Sequence, residues 1–219
     1  MALAHSYSSI KQFENCPRQY NEVRILKKYK TQESEAMLYG TAVHKAFEDF
    51  IKDGTPIPAK FAQFLPMIQP LTKIKGQVFC EQKMGITADF KPCDFFAKNV
   101  WFRGVPDLLI VNPKTNVARV VDYKTGKSSR YADTAQLELM AAMVMAYYPN
   151  VQTVKGALLF VVADDIIKGE YTRADMPTIL SSWAGKASRI EESIENGVWN
   201  AKPSGLCKFC PVQSCEHNS

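Results

Sequence analysis

Apolar and polar residues alternate along this chain in a way that predicts interleaved helices and strands. Ser6 or Ser8 can cap a short helix running to about Asn15, with Tyr7 and Ile10 as its apolar contacts. Cys16-Pro17 ends it, because the residue before a proline is pushed out of helical geometry. Gln19 to Lys30 is amphipathic and basic. Glu33 to Lys52 is the clearest helix. Leu38, Ala42, Ala46 and Phe50 recur at helical spacing, Ser34 can cap it and Gly54 stops it. Thr55 to Pro58 is a linker. Ala59 to Thr72 reads as a further helix, bent or divided by Pro66. Gln77 to Thr87 alternates with period two and reads as one strand, and Ala88 to Asn99 is irregular.

The stretch from Val100 to Arg130 reads as two strands joined by a tight turn. Val100-Trp101-Phe102 leads through Gly104 and Pro106 into Asp107 and the run Leu108-Leu109-Ile110-Val111. Asn112 to Asn116 is a turn cluster, and Val117 to Thr125 is the returning strand. Side chains alternate faces along a strand, so Asp122 and Lys124 share a face and Tyr123 points the other way. The turn can bring Asp107 near Asp122. A carboxylate and a lysine two apart are often only an exposed ion pair. Here Asp122 follows Val120-Val121 and Asp107 opens an apolar strand. Buried charge is costly unless it is paired or on a metal. Two carboxylates and a lysine at strand ends can hold a hard divalent cation beside a phosphate. Gly126 to Arg130, with Lys127 and Arg130, adds donors and positive charge for phosphate. Gly126-Lys127-Ser128 mimics the end of a phosphate-binding loop, but Val121 stands where that motif requires its first glycine.

Ala132 to Tyr148 reads as a helix closed by Pro149-Asn150, and its methionine and leucine stripe as core. Thr153 to Ala163 reads as a buried strand. A last helix runs from Asp175 to Glu195 and stops at Gly197. Together these elements predict one α/β domain over residues 1–219.

Composition changes this picture little. The chain has 219 residues, 46% of them hydrophobic, with net charge +5. That charge mildly favours a polyanionic partner. The longest apolar stretches fall short of a membrane span, so no membrane partner is expected. The amino terminus lacks the pattern of a signal peptide. Six cysteines without such a signal favour metal ligation over disulfides and predict a cytoplasmic protein. Cys207-x2-Cys210-x4-Cys215 is a dense set of soft ligands. Zinc could take these three with His217, all local. An iron–sulfur cluster would instead recruit Cys16 as its fourth thiolate. Cys80 and Cys93 read as ordinary cysteines.

Val105-Pro106-Asp107 followed by Val121-Asp122-Tyr123-Lys124 resembles the core of the PD-(D/E)XK nuclease superfamily. The surroundings resemble its RecB-like branch, and within it exonucleases of phage type. Ser6 to Tyr20, with Cys16-Pro17, is similar to that branch's amino-terminal segment, and Gly40-Thr41-Ala42-Val43-His44 to its G-x-x-x-H helix. Gln136-Leu137 falls where the branch places a glutamine after the catalytic strand. The cysteine tail resembles its iron–sulfur staple, completed by Cys16. One departure is Met140, where the glutamine helix of the family usually carries a tyrosine.

The resemblance implies a restriction-endonuclease-like fold, with a mixed central sheet flanked by helices. It implies that Asp107, Asp122, His44 and the carbonyl of Tyr123 bind Mg²⁺ or Mn²⁺, with Glu81 a further candidate, and that Lys124 is catalytic. It favours a 4Fe-4S cluster at Cys16, Cys207, Cys210 and Cys215 over zinc. Gln136, Lys127, Arg130 and Arg18 are the candidate DNA contacts. The expected activity is hydrolysis from DNA ends in recombination, replication or degradation, alongside a recombination or single-strand-binding partner, in host cytoplasm if phage-encoded. A CRISPR-adaptation-type nuclease and a non-catalytic DNA-binding scaffold are the alternatives.

Overall fold

The computed structural model describes residues 3–30 and 33–218. Met1 and Ala2, part of the amino-terminal reading, lie outside the described residues. The helices are α1 (Tyr7–Asn15), α2 (Pro17–Tyr20), α3 (Glu35–Asp53), α4 (Leu65–Ile68), α5 (Ala135–Tyr147) and α6 (Met176–Asn196). The strands are β1 (Gln77–Cys80), β2 (Met84–Ile86), β3 (Pro92–Cys93), β4 (Phe102–Gly104), β5 (Leu108–Asn112), β6 (Val117–Lys124), β7 (Thr153–Phe160) and β8 (Asp165–Thr172). They form two compact units, one built on Glu35–Leu180 and the other on His5–Ser34 and Ser181–Ser219.

The first unit contains a five-stranded sheet in the order β1-β5-β6-β7-β8. Only β6 and β7 run parallel, and α5 supplies the crossover that parallel neighbours require. On one face, Val43, Ala46 and Phe47 of α3 pack with Leu108, Ile110, Val121 and Tyr123, and with Phe61, Phe64 and Ile68. The other face carries α5, where Leu137 and Leu139 to Met145 are all buried. A helix apolar on every side belongs in a core. It lies so close to β7 that a Cβ at Gly156 would come within 3.1 Å of Leu137. The fold is therefore α/β, with a mixed sheet flanked by helices, as in restriction-endonuclease-like cores.

A second sheet, β3-β2-β4, is small. The Tyr147 hydroxyl at the end of α5 tethers it, accepting from the Gly85 N–H at 2.8 Å and donating to the Cys93 carbonyl at 2.7 Å.

The second unit brings the two ends of the chain together. Ser6 caps α1 with a capping box closed by Ser9. Phe13, Tyr20 and Trp199 pack as an aromatic group, and Trp183, Ala187 and Ile190 of α6 are fully buried.

Several boundaries differ from the sequence reading. Gln77 to Thr87 is two strands in two sheets, because Glu81 adopts a left-handed backbone (φ 52°) that no strand tolerates. Ala59 to Thr72 is broken into 3-10 turns and the four-residue α4, since Pro66 and Pro70 each remove a helical donor. Residues 21–25 form a π-helical turn. Strand β8 is absent from the sequence reading: its exposed and half-buried positions alternate without a strong apolar run, as expected of an edge.

Removing the Tyr147 hydroxyl leaves a buried N–H and a carbonyl without their shared partner. The Tyr147→Phe variant is expected to lose about 1–3 kcal/mol in denaturant unfolding. Faster amide exchange at Gly85 should accompany that loss. An unchanged midpoint and unchanged exchange would show that the tether is dispensable.

Candidate metal-binding active site

The site grows from the break at Glu81. Strand β1 ends at Cys80, and the Glu81 N–H donates to the Asp107 carbonyl at 3.2 Å. This clamps Glu81 beside the residue that immediately precedes β5. Asp107 is held at both carboxylate oxygens. Oδ2 accepts from the Tyr123 N–H at 2.5 Å, and Oδ1 lies 3.1 Å from His44 Nδ1. His44 comes from α3, where its ring meets Tyr123 edge-on at 5.7 Å. A Cβ at Gly40, one turn earlier, would sit 3.2 Å from Thr125 Oγ1, so glycine lets α3 approach the end of β6. One ligand atom each from His44, Glu81 and Asp107 lies within 4.8 Å of the other two.

Asp122 and Lys124 face α5, opposite Tyr123, as strand alternation requires. Gln136 near the start of α5 spans both. Its Nε2 donates to Asp122 Oδ1, and its Oε1 accepts from Lys124 Nζ at 2.9 Å. Lys124 Nζ is also 2.5 Å from Asp122 Oδ2, a close charge contact. Asp122 is 7% exposed.

Three carboxylates thus converge with one lysine and one histidine. Burial pushes the Glu81 carboxyl up to about 7, aided by the Asp107 charge and opposed by His44. Burial raises Asp122 too, reinforced by Asp107 and opposed by Lys124. For His44, burial works to lower the pKa. The hydrogen bond to Asp107 and the charges of Asp107, Asp122 and Glu81 outweigh it and raise the pKa. The pattern is one of surplus negative charge graded from the buried Asp122 through the half-buried Asp107 to Glu81 at the solvent edge. Hard oxygen donors and an imidazole with that surplus fit a divalent cation.

Among the residues singled out from sequence, His44, Glu81, Asp107, Asp122, Lys124 and Gln136 are brought together. Glu81 joins His44 and Asp107 as the tight triad, whereas Asp122 is engaged by Lys124 and Gln136. The signal for Glu81 was weak in the sequence, because nothing in the alternation from Gln77 to Thr87 marks a break there. Lys127 and Arg130 lie exposed on the loop after β6, with Arg130 5.4 Å from the Tyr131 ring. Arg18 belongs to the second unit, where it pairs with Glu216 at 2.5 Å and donates to the Ser214 carbonyl at 3.3 Å. Met140 is buried in α5, and Gly104 lies against its side chain.

In the second unit, Cys16, Cys207, Cys210, Cys215 and His217 line one cavity of about 90 Å³. N–H donors already point at three sulfurs. Gln19 N and Lys202 N approach Cys16 Sγ at 3.5 Å, Ser204 N approaches Cys207 Sγ at 3.3 Å, and Gln19 Nε2 lies 3.4 Å from Cys210 Sγ. No three of these ligand atoms lie within 4.8 Å of one another among the described residues. A tetrahedral zinc site would hold its sulfurs about 3.8 Å apart.

Mn²⁺ titrated calorimetrically into the purified protein is expected to bind at this site. Asp107→Ala should weaken that binding at least about tenfold. Arg130→Ala should leave it unchanged. Wild-type affinity in Asp107→Ala would place the ion elsewhere.

Two solved structures share the fold over nearly the whole chain. One is that of SSO0001, 14% identical with a TM-score of 0.53, covering 99% of this chain and 87% of its own. The other is a protein named as a candidate exonuclease from Eubacterium rectale, 17% identical with a TM-score of 0.57, covering 98% of this chain and 87% of its own. No curated protein matches the sequence. The sequence profile of the PD-(D/E)XK nuclease superfamily matches residues 4–72 and 71–215. The match takes in His44, Glu81, Asp107, Asp122 and Lys124, and the chain belongs to the PD-(D/E)XK nuclease superfamily.

Proposed function

We propose that this chain is a Mg²⁺- or Mn²⁺-dependent DNA exonuclease of the RecB-like, phage-type branch, acting as a single nuclease domain. The observation that carries the reading is the convergence of His44, Glu81 and Asp107 beside the Asp122–Lys124–Gln136 network. In this reading His44, Glu81, Asp107, Asp122 and the Tyr123 carbonyl are the metal ligands. A bound cation supplies a water of lowered pKa and positive charge for the phosphate. Asp107 keeps His44 oriented through its hydrogen bond. Lys124 places a positive charge where negative charge develops on the phosphate. Gln136 fixes Lys124 and Asp122 relative to each other, so that substrate meets a preformed pair. Lys127 and Arg130, exposed beyond β6, contact phosphates of the bound strand, and Arg18 is proposed as a further backbone contact. Exonuclease action is favoured by the motif order and by the name given to the structural relative.

We propose further that Cys16, Cys207, Cys210 and Cys215 hold a 4Fe-4S cluster. The shared cavity and the N–H donors aimed at cysteine sulfur support it, and sulfurs at the corners of an iron–sulfur cube stand farther apart than those around one zinc. Such a cluster ties the amino- and carboxy-terminal segments of the second unit together. It stabilises by restricting a long loop and has no part in the hydrolysis. Among the described residues no helix is long and apolar enough to cross a membrane.

End-labelled linear DNA should be degraded with Mg²⁺ or Mn²⁺ while covalently closed circles survive, and Lys124→Ala should slow degradation at least about a hundredfold. Equal cutting of circles would make the enzyme an endonuclease. Wild-type cutting by Lys124→Ala would remove the proposed site. Anaerobically purified protein should be brown, with iron and sulfide in stoichiometric amounts, and Cys210→Ser should lose the colour and melt earlier. A colourless wild type carrying zinc would overturn the cluster.

A further inference from the structure

The small sheet carries an exposed aromatic edge that the hydrolytic reading does not use. Asp94 starts a turn in which its Oδ1 accepts from the Phe96 N–H at 2.8 Å and its carbonyl accepts from the Ala97 N–H at 3.0 Å. That turn presents two consecutive phenylalanines. Their rings meet edge-to-face at 5.0 Å, and Phe96 is 68% exposed. Two cations flank the pair. Lys83 Nζ lies 5.9 Å from the Phe95 ring and 5.5 Å from the Phe96 ring, and Arg103 Cζ lies 5.3 Å and 5.6 Å from the same rings. The buried Arg103 Nε has no hydrogen-bond partner among the described residues. The edge thus sets two cations beside its aromatic rings, with the exposed Asp94 occupied at Oδ1 by the Phe96 N–H.

Its position relative to the site is fixed by the covalent chain. Lys83 lies two residues beyond Glu81, and Arg103 lies four residues before Asp107. An extended chain spans at most about 3.6 Å per residue, so these links reach roughly 7 Å and 14 Å. The Tyr147 tether to Gly85 and Cys93 holds the sheet that carries both cations. The edge thus lies within a few nucleotides of the carboxylates.

We propose that Phe96, supported by Phe95, Lys83 and Arg103, is a stacking platform for unpaired bases at the end of the DNA strand being hydrolysed. The proposal rests on the nuclease reading and adds to it a preference for single-stranded or frayed ends. An exposed aromatic ring accepts any base, because every base has a π face, while neighbouring cations hold the phosphates. Paired bases inside a blunt duplex have no free face to offer, so the platform separates the two substrates. An exposed Phe96 backed by the half-buried Phe95 would also suit a protein partner, and in that outcome Phe96→Ala leaves DNA binding untouched.

The test uses the full-length protein with Ca²⁺ in place of Mg²⁺, and fluorescence anisotropy of a labelled oligothymidine and of a blunt hairpin duplex. Phe96→Ala is expected to weaken oligothymidine binding about 5- to 100-fold. Phe96→Trp should retain it, and hairpin affinity should hold in both variants. A 2-aminopurine placed near the strand end should be quenched by the wild type and not by Phe96→Ala. Wild-type oligothymidine affinity in Phe96→Ala, or an equal loss on both DNAs, overturns the platform. Cleavage of linear DNA by the wild type and its loss in Lys124→Ala are scored separately. The platform can then fail while the nuclease reading stands, and a wild type that binds and cuts no DNA ends both.

Discussion

The arrangement depends on one carboxylate with two obligations. Asp107 takes the backbone N–H of Tyr123 on one oxygen and faces the His44 imidazole with the other. The first contact ties the start of β5 to β6, and the second ties both to α3. Its own carbonyl accepts from Glu81 and so fixes the point where β1 stops being a strand. Four segments are registered through one residue. Removing it would cost more than a ligand, because a buried N–H and an imidazole would lose their acceptor together.

Around Asp107 the sheet and its two covering layers create an unfavourable electrostatic situation on purpose. Charged carboxylates resist burial, and here Glu81, Asp107 and Asp122 share a partly desolvated space. Burial raises the Glu81 and Asp122 carboxyls, as that conflict requires. Lys124 offsets part of it and Gln136 orders the remainder, but both act on Asp122. The triad of His44, Glu81 and Asp107 keeps its own surplus of negative charge, which is what a divalent cation relieves. Crowded oxygen donors of this kind are what a divalent cation would relieve.

The second unit solves a different problem. Its core of Phe13, Tyr20, Trp183, Ile190 and Trp199 is modest, and its segments come from opposite ends of the chain. Bringing distant segments together costs loop-closure entropy. Helix capping, the contact of Lys202 Nζ with the Glu14 carbonyl at 2.8 Å and the Arg18–Glu216 pair all work against that cost. Four cysteines around one small cavity, with N–H groups already aimed at sulfur, are placed where a covalent cross-link through a metal would have most effect.

The sequence by itself determined the elements that local physics controls. Periodicity marked α3, a run of alanine, leucine and methionine ended by Pro149 marked α5, the apolar runs marked β5, β6 and β7, and alternation assigned Asp122 and Lys124 to one face with Tyr123 on the other. Those signals are short-range and survive without knowledge of neighbours. The motif residues Asp107, Asp122 and Lys124 were legible because their spacing is set by one hairpin. What the tertiary structure decided was everything that depends on a partner far away in the chain. The break at Glu81 follows from a clamp to Asp107 and not from any glycine or proline in the strand. That Glu81 lies within ligand distance of His44 and Asp107, while Gln136 from a helix beyond the hairpin engages Asp122, depends on how distant segments pack. Strand β8 exists because β7 offers it an edge, and its own side chains carry no strong pattern. The meeting of Cys16 with the cysteine tail in one cavity is likewise a property of the folded chain, since nothing in either segment encodes the distance between them.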